Sequence, residues 1–267
     1  MQVLTAVAPV FGTNCYVVVA DDGVACVVVD VGAGIAGRVR DVVTERGLHP
    51  VAVLATHGHV DHTWGAAEVA EAYGVPVYLH VADAYRLADP FGTLGLGDGS
   101  GGPLAQALTA VGLPPGGYRI PTWIETFGSE SGSDGGDLDG DLRGDLDLDL
   151  GGLLFAGAPL AARHAPGHTQ GASLYLIDGT PGPGSAISFA PGEGTLASGA
   201  TCTALTGDVL FAGSIGRTDL PGGDDARMAG TLRHLAATFA PGTLVLPGHG
   251  PASRMDLELR RNPYLAG

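Results

Sequence analysis

The chain has 267 residues and a formal net charge of −15, with 45% hydrophobic and 15% charged side chains. That is enough chain to bury a sizeable core, and it is too apolar for a disordered composition. All 13 basic residues are arginine, and an acidic surface repels phosphate backbones, which argues against nucleic acid as a partner; a local Arg cluster could still hold an anionic substrate.

Cys15, Cys26 and Cys202 form no CxxC pair and are too few for a disulfide framework, so they read as small buried hydrophobes. The first six residues carry no basic region, and no apolar run approaches the roughly 20 residues of a membrane span. A cytoplasmic protein without a membrane partner is expected, as a monomer or small homo-oligomer.

Residues 15–20 and 26–31 are β-branched runs joined by the hairpin signal Asp21-Asp22-Gly23. Residues 35–46 carry Ile35, Val39, Val42 and Val43 at helical spacing and end at Gly47. An apolar strand at 51–55 runs into a His-rich segment, followed by a helix over 64–73 and a strand over 75–80. This β-α-β order predicts a mixed sheet with helices packed on it.

Residues 91–150 break the rhythm with Gly, Pro, Ser and Asp, and end in an Asp-Leu alternation over 136–150. The alternation has strand period, but Asp is a poor strand former. It matches no known calcium loop, and it reads as a solvated insertion ordered only where its leucines find the core. Residues 180–202 read as a second, surface insertion. Strands follow at 160–165, 173–178 and 203–211, then a helix at 224–239, a strand at 243–246 and a short helix at 254–261. The chain is read as a single domain over 1–267 with these two insertions.

His57, His59, Asp61 and His62 lie within six residues at the end of a buried strand. His168, Asp208 and His249 each sit at a strand end or a Gly-rich turn, where loops gather sites and Gly lets the backbone bend. Imidazole and carboxylate donors suit zinc, iron or manganese. Burying four such groups together without a metal costs too much desolvation. Seven donors exceed the four of a tetrahedral zinc and are used up by two metals, a bridging carboxylate and a shared water. Such a water has its pKa lowered from 15.7 to about 7.

Thr56-His57-Gly58-His59-Val60-Asp61-His62 resembles the signature of the metallo-β-lactamase superfamily. The likeness runs over most of the chain. Thr13-Asn14-Cys15-Tyr16 is similar to the N-terminal motif of its glyoxalase II-like branch, and His164-Ala165-Pro166-Gly167-His168-Thr169-Gln170-Gly171 to the next ligand motif. The run from Gly207 through Gly216-Arg217-Thr218-Asp219 to Gly223 resembles the bridging-aspartate loop of a short bacterial subgroup. Pro247-Gly248-His249-Gly250-Pro251 matches the last ligand turn, and Asn262-Pro263-Tyr264-Leu265 the subgroup's C-terminus. Only the two insertions lack a counterpart.

The resemblance implies an α/β protein, a four-layer αββα sandwich with two divalent metals at one edge, zinc being expected and iron or manganese compatible. It implies that His57, His59 and His168 hold one metal, that Asp61, His62 and His249 hold the other, and that Asp208 bridges them. Asp61 also has a catalytic part, orienting the metal-bridging hydroxide that attacks a polarised carbonyl. His49, His80, His164 and His234 match no ligand position.

A thiolate leaves with a pKa near 8.5 and needs no dedicated acid, which suits a small-molecule thioester. The implied enzyme is a thioesterase like hydroxyacylglutathione hydrolase, acting on hydroxyacyl thioesters of a low-molecular-weight thiol. Only 17 residues follow Gly250, so the helical domain that binds glutathione in full-length relatives has no counterpart, and capture rests on Arg217, with Arg260 or Arg261 in support. Arg217 reads equally as an ion pair with Asp219. The runner-up is a persulfide dioxygenase with one iron on His57, His168 and Asp208. Lactonase, β-lactamase and a metal-free scaffold are lesser readings.

Overall fold

A computed structural model describes residues 1–97, 101–129, 146–147, 150, 152–190, 197 and 199–265. Strands β2 (Asn14–Val19) and β3 (Ala25–Val29) are buried at every position. Such continuous apolar runs belong to a sheet covered on both faces. Tyr16, Val18, Val27 and Val29 face a second sheet, while Cys15, Val17, Val19, Cys26 and Val28 face helices.

The first sheet runs β1-β2-β3-β4-β5-β6, adding β1 (Gln2–Val7), β4 (His49–Leu54), β5 (Val77–His80) and β6 (Ile124–Phe127). Pairing is antiparallel from β1 to β3 and parallel from β3 to β6. The parallel connections are made by helices α1 (Ala36–Arg46) and α3 (Ala66–Tyr73), whose Val39, Val43, Ala66 and Val69 cover the outer face. A one-turn helix, α2 (Val60–Thr63), precedes α3.

The second sheet has the order β14-β13-β10-β9-β8-β7. Its strands are β7 (Leu146–Asp147), β8 (Ala161–His164), β9 (Ser173–Ile177), β10 (Cys202–Gly207), β13 (Thr243–Pro247) and β14 (Ser253–Arg254). A small hairpin, β11 (Leu210–Phe211) with β12 (Ser214–Ile215), stands apart. Helix α5 (Asp225–Thr238) lays Met228, Leu232 and Leu235 on the outer face, joined by Met255 of α6 (Met255–Arg261). Between the sheets lie Leu54, Leu160, Tyr175, Leu205, Leu244 and Leu246. At roughly 1.5–3 kcal/mol per buried apolar side chain, this middle layer is a large share of the folding energy. The result is an αββα sandwich.

Two expectations change. The strand expected over 203–211 stops at Gly207, whose φ of +47 leaves the β region; glycine is needed there because a Cβ would meet the Thr56 side chain. The described residues of 91–127 hold ordered elements within the expected solvated insertion, though many of them are exposed. Phe91 and Leu108 of α4 (Gly102–Ala110) are buried against Val60 and Trp64, and β6 pairs with β5. Most of the Asp-Leu run lies outside the described residues. In its described part the backbone of Leu146–Asp147 pairs with β8, and Leu150 is buried between the sheets. In the second insertion, 191–196 and 198 lie outside the described residues, while Ala186 and Phe189 bridge to Leu4 and Ala252. Among the described residues no helix is long and apolar enough to cross a membrane.

Candidate metal centre

All seven predicted donors come to one edge of the sandwich. His57 and His59 follow the C-terminal end of β4, and His59 is the N-cap of α2, which carries Asp61 and His62. His168 follows β8, Asp208 follows β10 and His249 follows β13. Gly248 is required beside them, because a Cβ there would meet Asp208 Oδ1 and the His62 ring. The N-terminal Thr-Asn-Cys-Tyr motif locks the same turn. Asn14 Nδ2 donates to the carbonyls of Pro247 (2.9 Å) and Gly250 (2.8 Å), and Tyr16 Oη donates to Pro247 (2.8 Å).

The donors form two triads. His168 Nε2 lies 3.2 Å from His57 Nε2 and 2.9 Å from His59 Nδ1, which are 3.1 Å apart. In the second triad His62 Nε2 is 3.3 Å from His249 Nε2, and Asp61 Oδ2 lies 3.6 Å and 3.3 Å from these nitrogens. Asp208 stands between them, with Oδ1 3.3 Å from His62 Nε2 and Oδ2 3.7 Å from His168 Nε2 and 3.5 Å from His249 Nε2.

The far side of each ring shows what the near side is for. His168 Nδ1 donates to the Arg217 carbonyl at 2.7 Å and His249 Nδ1 to the Phe11 carbonyl at 3.2 Å. His62 Nδ1 donates to Asp30 Oδ2 at 3.0 Å. Carbonyl and carboxylate accept only, so these rings carry their proton on Nδ1 and aim a lone pair inward. His57 Nε2, His59 Nδ1 and His168 Nε2 lie about 3 Å apart, a spacing that fits a cation held among them. Buried Asp208 Oδ1 has no hydrogen-bond donor, as expected of a ligand oxygen. The residues present fit two divalent metals.

The electrostatics agree. Burial, then the neighbouring His62 and His168, hold His57 well below its ordinary pKa, and burial with His168 pushes His59 down to about 3. Both are neutral donors at pH 7. Burial also opposes charge on His62, but Asp208, Asp30 and Asp61 outweigh it and raise its pKa well above the usual value. His249, opposed by burial and raised by Asp208 and Asp61, reaches about 9. Without metal, protons on these two rings offset the carboxylates; metal binding displaces them.

Two supporting residues escaped sequence reasoning. Asp30, at φ +56 just after β3, accepts the Thr56 N–H and the Thr56 hydroxyl, both at 2.8 Å, besides His62. Its signal was an acid inside the apolar run 26–31. Asp83 lies in a 3-10 segment, Val81–Leu87, and accepts from Gly58 N (2.9 Å), Thr169 Oγ1 (2.6 Å), Gly171 N (2.9 Å) and Arg86 Nε (3.1 Å). No sequence signal marks it, since its partners are distant loops.

Arg217 lines the cavity over the centre and makes a two-pronged ion pair with Asp219, at 2.6 and 2.7 Å. Arg260 pairs with Asp256 on α6, and neither Arg260 nor Arg261 lines that cavity. His164 stacks on His80 and its Nε2 bonds the Gln170 carbonyl; His49 is exposed and His234 half-buried, so none of the four joins the donors.

A four-layer αββα fold with clustered His and Asp donors at its strand ends defines a metallo-hydrolase-type protein. The family model described as the metallo-beta-lactamase superfamily matches residues 8–182, and the chain belongs to that superfamily. An uncharacterized protein of Mycobacterium tuberculosis is 33% identical, over 97% of this chain and 96% of the relative. A probable metallo-hydrolase of Bacillus subtilis is 28% identical (95% and 92% covered), and a hydroxyacylglutathione hydrolase of Haemophilus influenzae 26% (96% and 93%). Among solved structures, the B3 metallo-beta-lactamase BLEG-1 superposes with a TM-score of 0.65 at 25% identity, covering 99% of this chain and 100% of that one. A protein solved in a di-iron-bound form, TTHA1623, gives 0.63 at 27%, covering 98% and 100%.

Proposed function

We propose that the protein is a binuclear metal-dependent thioester hydrolase of the glyoxalase II-like kind, acting in the cytoplasm on acyl thioesters of a small thiol. The observation that carries this reading is the placement of Asp208 between two triads whose nitrogens aim lone pairs inward, at the floor of an open cavity. His57 Nε2, His59 Nδ1 and His168 Nε2 would hold one metal, Asp61, His62 and His249 the second, and Asp208 both. When bound, the metals supply positive charge to polarise a carbonyl and bring a water's pKa to about 7.

The chain's own groups do the rest. Asp61 Oδ2, partly exposed to the cavity, is placed to accept a hydrogen from the attacking water and so orient it. The carbonyls of Arg217 and Phe11 and the Asp30 carboxylate hold three rings in the tautomer that keeps their Nε2 free. Among the described residues no Tyr, Lys or Cys lines the cavity to act as an acid, which suits a thiolate leaving group near pKa 8.5. Arg217 is the cavity's one guanidinium and the contact for a carboxylate on the thiol, in exchange for Asp219. The Haemophilus relative's name supports the thioester class.

A thioester panel assayed beside metal analysis tests this. Two zinc per chain with thioester turnover is expected, and two iron with the same turnover changes the metal alone. One iron per chain with oxygen uptake on a persulfide would overturn it.

A further inference from the structure

Above the donors the cavity is apolar. Its volume is 640 Å3, within the range of about 300–1,000 Å3 for small-molecule sites. Leu94, Leu96 and Leu104 form one wall, and Phe11, Phe211 and Leu220 stand around the rest. Leu94 and Leu96 precede α4 in the chain, and Leu104 lies on it.

This wall is built rather than draped. Arg86, itself fully buried, donates Nη1 to the Thr93 carbonyl (3.3 Å) and Nη2 to the Pro221 carbonyl (3.0 Å) and to Gln170 Oε1 (2.7 Å). It thereby ties the turn carrying Leu94 and the loop carrying Leu220 to Asp83, which holds Gly58 and Thr169 beside the metal donors. From the other side Leu104 and Leu94 rest on the cluster of Trp64, Phe91 and Leu108. Apolar surface held concave over a reactive centre gains free energy only when an apolar group fills it.

Charge points the same way. A hydroxyacyl group brings a hydroxyl, and glutathione brings two carboxylates and an ammonium. Against these the lining offers one guanidinium already engaged by Asp219, besides the donor groups themselves. A polar substituent left unpaired against leucine loses its hydrogen bonds to water and gains none in return.

We infer that the substrate's acyl group is an unsubstituted alkyl chain, packed on Leu94, Leu96 and Leu104, and that these three leucines set this specificity. This rests on the hydrolase reading for its orientation, with the carbonyl at the donors and the chain along the wall. Each added methylene buried there improves binding about fourfold.

The test uses the metal-loaded full chain and acetyl, butanoyl and hexanoyl thioesters of N-acetylcysteamine, an uncharged thiol, with the lactoyl thioester of the same thiol beside them. Matching S-(2-oxoalkyl) thioethers, which cannot be hydrolysed, give Kd by calorimetry. Expected are a Kd falling about fourfold per methylene, the same trend in kcat/KM, and the lactoyl thioester a poorer substrate than the butanoyl one. Leu104→Ala and Leu96→Asn should flatten both series; Leu96 is half exposed, so its variant folds.

A flat series in the native protein, or an undiminished slope in both variants, overturns the inference. Thioester turnover with a flat series leaves the hydrolase reading standing and removes this one. A sloped Kd series with no thioester turnover removes the hydrolase reading, and with it the acyl substrate, leaving only an alkyl-binding wall over the donors.

Discussion

Arg86 Nε donates to Asp83 Oδ1 across 3.1 Å, with both side chains fully buried. Arg86 reaches the pocket rim through Thr93 and Pro221, and Asp83 reaches the ligand loops through Gly58 and Thr169. A buried pair adds little by itself, but removing one partner strands the other. Arg86→Met should therefore cost about 3–5 kcal/mol in urea unfolding, and it should weaken metal binding because Asp83 then lacks its fixed partner. An Arg86→Met protein with native stability and metal affinity would refute this account.

Asp208→Ala should reduce bound metal from two per chain to less than one and abolish turnover, since one carboxylate serves both triads. Elemental analysis after gel filtration is the measurement. Two metals retained in the variant would rule out the bridging assignment.

Asp30→Asn keeps a residue type tolerant of the left-handed backbone found there (φ +56) while removing charge from behind His62. Such outer partners are worth about 10–100-fold in metal affinity. Competition with a chelating indicator should show that loss in one of two binding steps, and unchanged affinity in both would count against the role.

Chelation should lower the melting temperature. A metal at 100 times its Kd stabilises the folded state by about 2.7 kcal/mol, and stripping it also leaves lone pairs and carboxylates facing one another. Calorimetric scans with and without chelator, followed by zinc add-back, check this; identical scans would argue against a structural contribution from metal.

His80 provides a pH test away from the donors. Burial first, and then His164 stacked at 4.0 Å, push its pKa down to about 3. The unfolded chain takes up this proton near pH 6.5, so between those values the unfolded state binds more protons. Stability is full above pH 6.5 and falls by about 1.4 kcal/mol per pH unit towards pH 3. His80→Asn keeps an acceptor for the Ala82 N–H (3.2 Å) and removes this slope. Between pH 6.5 and 5 it should lose about 2 kcal/mol less than the native protein in urea unfolding. Equal losses would assign the acid sensitivity to other groups.

The seven donors and most of the strands and helices around them were legible in the sequence, because both signals are local. His-x-His-x-Asp-His sits within six residues, and the runs at 15–20 and 26–31 and the helical spacing at 35–46 need only their own neighbours. Strands β1, β6, β12 and β14 and helices α2 and α4 were missed; β6, β12, β14 and α2 have only two to four residues and carry no period of their own. The break in 203–211 falls at Gly207, whose positive φ no local pattern announces.

The sequence by itself determined which side chains could bind metal and that they follow strands of a two-sheet protein. The tertiary structure alone decided which ring nitrogen faces inward, because that depends on acceptors such as Asp30, Phe11 and Arg217 brought from other loops. It also decided that Leu94, Leu96 and Leu104, set among polar and Gly-rich neighbours in the chain, line the cavity over the donors. Packing across long chain separations selects such partners, and no local pattern encodes it.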